Sequence, residues 1–170
     1  MKKLIVPLIL FFGFQTLAQY RATEIRHYIK IEGSALKYYV STLSENTHEL
    51  RLTDDGIAFN GIYGWDFDEK FQIGAAGGFM SIGEAKGAAA FGEFNFFVSN
   101  TYINPYTGIR LGYSYIFPKN ASSQGDLIAE FVTGLQINFG LYTYFSMYLQ
   151  TGFMYTHKNL MVPLRIGIKF

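Results

Sequence analysis

A chain of 170 residues with a net charge of +1 has room for one domain, and gives no electrostatic basis for binding nucleic acid. Charged residues make up 16% and aromatics 18%, with 18 glycines, whereas soluble domains run near about 25% charged. That balance suits an all-β protein with an apolar exterior, and the absence of cysteine excludes a disulfide framework and a thiolate metal site.

In chain order, the first segment is MKKLIVPLILFFGFQTLAQ. Two lysines, an apolar run from Leu4 to Phe14 and the small-residue stretch Thr16-Leu17-Ala18 follow the order of a secretory signal peptide. Cleavage is expected after Ala18 or Gln19, giving a leader over 1–19 and a single domain over 20–170. A membrane-anchoring helix needs about 20 apolar residues, and this run is shorter and interrupted by Pro7.

Two short apolar alternations follow. In IRHYIKI the apolar positions are Ile25, Ile29 and Ile31; in ALKYYV they are Leu36, Tyr38 and Val40. The phase flips across Gly33-Ser34, which reads either as a bulge in one long strand or as a turn between two. One strand there gives eight in total, and two with a short one at 49–53 give ten. Eight is favoured because Leu50 to Thr53 is too short to span a bilayer, which leaves 41–55 as a loop.

From position 56 the alternation is continuous, with strands predicted over 56–66, 70–82, 86–98, 105–117, 126–139, 142–156 and 160–170. Gly, Asn, Asp and Pro punctuate them, as tight reversals require. One face carries Ile109, Leu111, Tyr113, Tyr115 and Phe117 in one segment, and Leu127, Phe131, Leu135 and Ile137 in the next. The other face carries glycines with few charges. In the last segment Val162, Leu164, Ile166, Ile168 and Phe170 alternate with Pro163, Arg165, Gly167 and Lys169.

A soluble sandwich would turn the apolar face inward and show water a charged face. A transmembrane barrel turns it toward lipid and fills a narrow lumen with the polar face. The segments are longer than the mode of about 5–6 residues in globular proteins and match the roughly 9–11 of a tilted membrane strand. Aromatics also gather near their ends (Tyr63 and Trp65; Tyr113, Tyr115 and Phe117; Tyr155), as interfacial girdles do. The fold class read from these features is all-β, a transmembrane up-and-down antiparallel β-barrel.

Phe170 with Ile168 and Ile166 behind it is similar to the C-terminal signal of outer-membrane β-barrel proteins. GIYGWDFDEKFQIGAAGGF, INPYTGIRLGYSY and RIGIKF resemble the small outer-membrane β-barrel proteins common in Bacteroidota. The resemblance covers about residues 25 to 170. It implies export to the outer membrane of a Gram-negative cell, an eight-stranded barrel, and Ile166, Ile168 and Phe170 as an insertion signal read by the barrel-assembly machinery. It also implies lipids as the surroundings and no assigned biochemical activity.

On the same parity Glu93, Arg110, Glu130 and Arg165 face the lumen, and Glu93 is expected opposite Arg110 across the 99–104 turn. Such charges could form a gate, a proton relay or a selectivity filter. A structural ion-pair cluster is the favoured reading, because eight strands leave an interior that side chains just fill. A lipid-modifying enzyme would need a nucleophile and base near the outer leaflet. His48 and His157 fall in outer loops, Ser44 and Glu45 lie near the first, and His27 is the remaining histidine. No hydrolase spacing is present, and a loop histidine is more often solvated. Gly74-Ala75-Ala76-Gly77-Gly78 sits inside a strand with no following helix, so it lacks the context of a phosphate-binding loop. The expectation is a non-enzymatic protein without cofactor or metal, structural or surface-interacting, with a narrow pore for small solutes as the alternative.

Overall fold

The structure, a computed structural model, describes residues 25–41, 54–67, 70–99, 101–117, 123–139 and 145–170. The leader and the segment with Ser44, Glu45 and His48 lie outside these residues. Eight antiparallel strands close into a barrel in sequence order. They are β1 (Ile25–Ser41), β2 (Gly56–Phe67), β3 (Phe71–Ile82), β4 (Ala85–Phe97), β5 (Ile103–Phe117), β6 (Gln124–Asn138), β7 (Ser146–Thr156) and β8 (Asn159–Lys169).

The closing seam pairs β1 with β8 from Lys30↔Lys169 to Ser41↔Asn159. Phe170 extends it through two backbone bonds with Ile29, of 2.9 and 3.0 Å. Both described termini therefore stand at one end of the barrel, the termini end. The connections after β1, β3, β5 and β7 stand at the other, the loop end.

Register partners traced from Ile29 run through Tyr63, Ala75, Gly92, Leu111, Ala129, Tyr155 and Leu160. The trace returns to β1 at Val40, well toward the loop end. A ladder that does not close on itself is the stagger of a tilted-strand barrel, and tilt and stagger are linked by closure.

Alternation decides what each strand shows to each side. In β1 the even positions Tyr28, Lys30, Glu32, Ser34 and Leu36 are buried, and Ile25, Ile29 and Ile31 are exposed. The face does not change at Gly33-Ser34. The sequence phase flips there because the inward residues themselves turn from polar to apolar, so β1 is one strand without a turn or bulge at that point. Its irregularity comes later, between Tyr38 and Val40 against β8. Strand 142–156 of the sequence reading begins at Ser146, and β6 starts at Gln124, inside the expected 118–125 loop.

Inward glycines make room for large inward side chains. A Cβ on Gly74 would stand 2.6 Å from the Tyr28 hydroxyl, and one on Gly134 would stand 2.9 Å from the Tyr106 ring. Small and large inward residues alternate this way to fill a narrow taper. Gly74 and Gly78 of the 74–78 run therefore serve packing, whereas Gly77 faces outward. The two-residue turn after β7 puts His157 and Lys158 at φ 47° and 57°. That is the twist-matched hairpin geometry, adopted here without glycine.

Candidate functional site

The inward face brings charges from six strands together. Arg110 on β5 donates from Nη1 and Nη2 to the two carboxylate oxygens of Glu32 on β1, at 2.7 and 2.8 Å. Its Nη2 also reaches Glu93 on β4 at 3.0 Å, and Glu93 accepts from Lys30 at 2.7 Å. On β8, Arg165 ion-pairs with Glu130 on β6, donates to Ser34 at 3.1 Å and stands 3.5 Å from Glu32. Lys30, Glu93, Arg110, Glu32, Arg165 and Glu130 thus form one chain of alternating sign. Nearer the termini end, Lys169 pairs with Asp66 at 2.8 Å, and Gln72 donates to the same carboxylate oxygen at 2.9 Å.

Four cations and four anions take part, so the cluster is neutral. Their neutrality matters because a buried ion without a partner costs several kcal/mol, roughly, even after relaxation. Neutral partners complete the coordination. Tyr28 donates to Glu93 at 3.0 Å, Tyr148 to Glu32 at 3.0 Å and Asn60 to Glu32 at 2.9 Å. Gln150, with its amide oxygen turned toward Arg110 at 3.0 and 3.2 Å, donates its nitrogen to Tyr106 at 2.7 Å.

The four residues read from sequence occupy these positions. Glu93 and Arg110 are register partners, as are Arg110 and Glu130. Glu130 chooses Arg165 instead, and Arg110 spends its planar fork on Glu32. Sequence reading missed Lys30, Glu32, Asp66 and Lys169. The even parity shared by Tyr28, Lys30 and Glu32 carried the signal for the first two, but the apparent phase flip obscured it.

Beyond this network toward the loop end, Leu36, Met80, Ile128, Met154 and Met161 join one apolar cluster. At the loop end, where Ile82, Ala85 and Ile116 of the same cluster also stand, lies a small polar group. Ser114 contacts the His157 imidazole at 3.0 Å and Thr156 at 2.9 Å, and Asn159 donates to the His157 carbonyl at 2.7 Å. His157 was expected to be solvated. It is 5% exposed, because the tight turn folds its ring back over the barrel mouth. Burial lowers its pKa, against an opposing pull from Asp126. Ser114 has no exposed surface, so this serine and histidine do not present an accessible nucleophile. His27 is on the outside, hydrogen-bonded to Tyr63 at 2.8 Å.

The outer surface is apolar all the way round. Phe79, Ile57, Leu127, Leu111, Phe153 and Ile166 are each more than half exposed. Tyr63, Trp65, Phe71, Phe145 and Phe170 stand near the termini end, while Tyr113, Tyr115 and Phe117 on β5 and Tyr155 on β7 stand near the loop end. Among the described residues no cluster of His, Asp and Glu could hold a metal ion.

No family model matches the chain, and no curated protein matches it. Solved structures do. Neisserial surface protein A superposes with a TM-score of 0.65 at 12% identity, over 86% of this chain and 97% of that one. The N-terminal β-barrel domain of Pseudomonas aeruginosa OprF superposes with a TM-score of 0.60 at 15% identity, over 86% of this chain and 100% of that one. At such identities the likeness is one of fold: this chain has the closed, eight-stranded antiparallel barrel of small outer-membrane proteins.

Proposed function

We propose that the chain is an integral outer-membrane β-barrel, exported on a cleaved leader, with a lumen filled by side chains and a structural or surface-interaction role. One observation carries this reading. Apolar side chains cover the outside of all eight strands, while the charges sit inside in a neutral chain of ion pairs. Water would penalise that outer surface, and lipid would not. In this reading the termini end is periplasmic and the loop end faces outward. Outward aromatic residues then stand at both membrane interfaces. The barrel-assembly machinery reads Ile166, Ile168 and Phe170 before β8 is zipped to β1. The buried Ser114 supports a non-enzymatic role, and the density of buried side chains supports a plugged lumen over a pore.

The test is the mature chain reconstituted in lipid. A filled barrel shows heat-modifiable gel mobility and no single-channel steps in planar bilayers. Discrete steps from the wild-type chain would replace the filled-lumen reading with a narrow pore. A surface role predicts a partner whose co-purification is lost when 41–55 or 118–125 is replaced by a short Gly/Ser turn.

A further inference from the structure

The lumen is stratified in a way that a merely filled barrel does not require. Toward the termini end, Asp66 Oδ1, Gln72 Oε1 and both amide atoms of Asn95 are buried without a protein partner. The three residues are register neighbours, Asp66↔Gln72 and Gln72↔Asn95, on β2, β3 and β4. Arg110 Nε, deeper in, is also unpartnered. At the loop end, Oδ1 of Asn159, the register partner of Thr156, is in the same condition. Buried polar atoms of this kind are costly unless water reaches them. They mark two wettable zones.

Between the zones, Leu36, Met80, Ala89, Ile128, Met154 and Met161 contact one another from β1, β3, β4, β6, β7 and β8. Each is at most 9% exposed. No unpartnered polar side-chain atom falls within this layer among the described residues. The inner contacts of the ion-pair chain below it are redundant. Glu93 is shared by Lys30 and Arg110, and Glu32 by Arg110 and Arg165, so one contact can open while its ions remain compensated. An apolar constriction has no such alternative, because an ion entering it loses its hydration and gains no partner.

We infer that this apolar layer, and not the ion-pair chain, is the barrier to water and ions along the lumen. The charged half is then a compartment that exchanges water and small ions with the termini end alone. The inference rests on the filled-lumen reading, and the experiment separates the two.

Planar-bilayer conductance is measured for the wild type, for Glu93→Gln and for the pair Leu36→Ser with Met161→Ser, each first shown folded by heat-modifiable mobility. Silence from wild type and Glu93→Gln, with steps from the serine pair, is the expected result. Steps from Glu93→Gln over a silent wild type overturn the inference and leave the filled lumen standing, whereas steps from the wild type overturn the filled lumen itself. A folded but silent serine pair also overturns the inference.

Should the serine pair not fold, the layer is probed intact. The chain has no cysteine, so Gln72→Cys and Thr156→Cys each supply one thiol. A small charged methanethiosulfonate is added to either side of proteoliposomes of known insertion sidedness. Gln72→Cys should react at least tenfold faster from the termini side, and Thr156→Cys from the loop side. Equal rates from both sides at either position overturn the inference.

Discussion

Arg110 and Glu32, 78 residues apart in sequence, meet across the lumen through two parallel hydrogen bonds of 2.7 and 2.8 Å. The bidentate fork fixes both side chains at the centre of the charge chain, and neither is more than 1% exposed. Arg110→Met leaves Glu32 and Glu93 short of a partner. Breaking a buried pair in this manner costs about 3–5 kcal/mol. Denaturant unfolding in detergent micelles should show a loss of that size. The double variant Arg110→Met with Glu32→Gln should lose less than the sum of the two singles. An additive double variant would mean that the two side chains do not couple.

Glycines on the two faces of the sheet should answer alanine differently. Gly152 faces inward, and a Cβ there would run into the Phe131 carbonyl, whereas Gly61 faces outward with nothing within 4 Å. Gly61→Ala is expected to be neutral or stabilising by up to about 1 kcal/mol, since glycine in a strand carries an entropic cost. Gly152→Ala should destabilise, or fold only after a shift that slows refolding into lipid vesicles. The comparison is read from unfolding midpoints of the two variants beside wild type.

The turn at His157 should loosen in acid. Its folded pKa lies below the ordinary imidazole value, mainly through burial. The group therefore contributes stability that is full above about pH 6.5, the unfolded value, and is lost as pH falls through the depressed folded value. Amide exchange at Thr156 to Asn159 should accelerate between pH 7 and 5 beyond its intrinsic pH dependence. His157→Gln should abolish that extra acceleration, and its persistence in the variant would contradict the assignment to His157.

The Lys37–Asp55 pair, 2.6 Å apart at the loop end, should contribute little. Lys37 and the Tyr38 N–H hold the Asp55 carboxyl below its ordinary pKa, so any contribution is present at neutral pH and lost as pH falls through that depressed value. Both side chains are solvent-exposed, where salt screens the attraction. Asp55→Asn should leave the unfolding midpoint of the reconstituted barrel unchanged at physiological ionic strength, and a clear drop would contradict this.

The outer face of the barrel was legible in the sequence because lipid imposes one chemistry on every outward position. Strands β5 and β8 show it without interruption from Ile109 to Phe117 and Val162 to Phe170, and β6 shows it from Leu127 to Ile137 with Thr133 as its one polar outward position. The inner face was legible only in part, because its chemistry changes with depth. On β1 it passes from Lys30 and Glu32 to Leu36 within three inward positions, and alternation alone reads that change as a reversal of faces. Glu93 and Arg110 were within reach because a short turn joins their strands. Glu32 was not, since its partnership with Arg110 exists only once β1 and β8 have closed. The reversal after residue 156 was legible, but the burial of His157 was not, because residue type does not tell which way a side chain in a turn of left-handed backbone points.

The most direct test of the account uses the single tryptophan, Trp65, which faces outward at 39% exposure near the termini end. The mature chain is folded into vesicles whose phospholipids carry bromine at shallow or deep acyl positions, and Trp65 emission is recorded beside detergent-free buffer. Strong quenching by the shallow bromines, with no folded monomer in buffer alone, is the predicted result. A folded, detergent-free monomer whose emission ignores brominated lipid would contradict the account at its root.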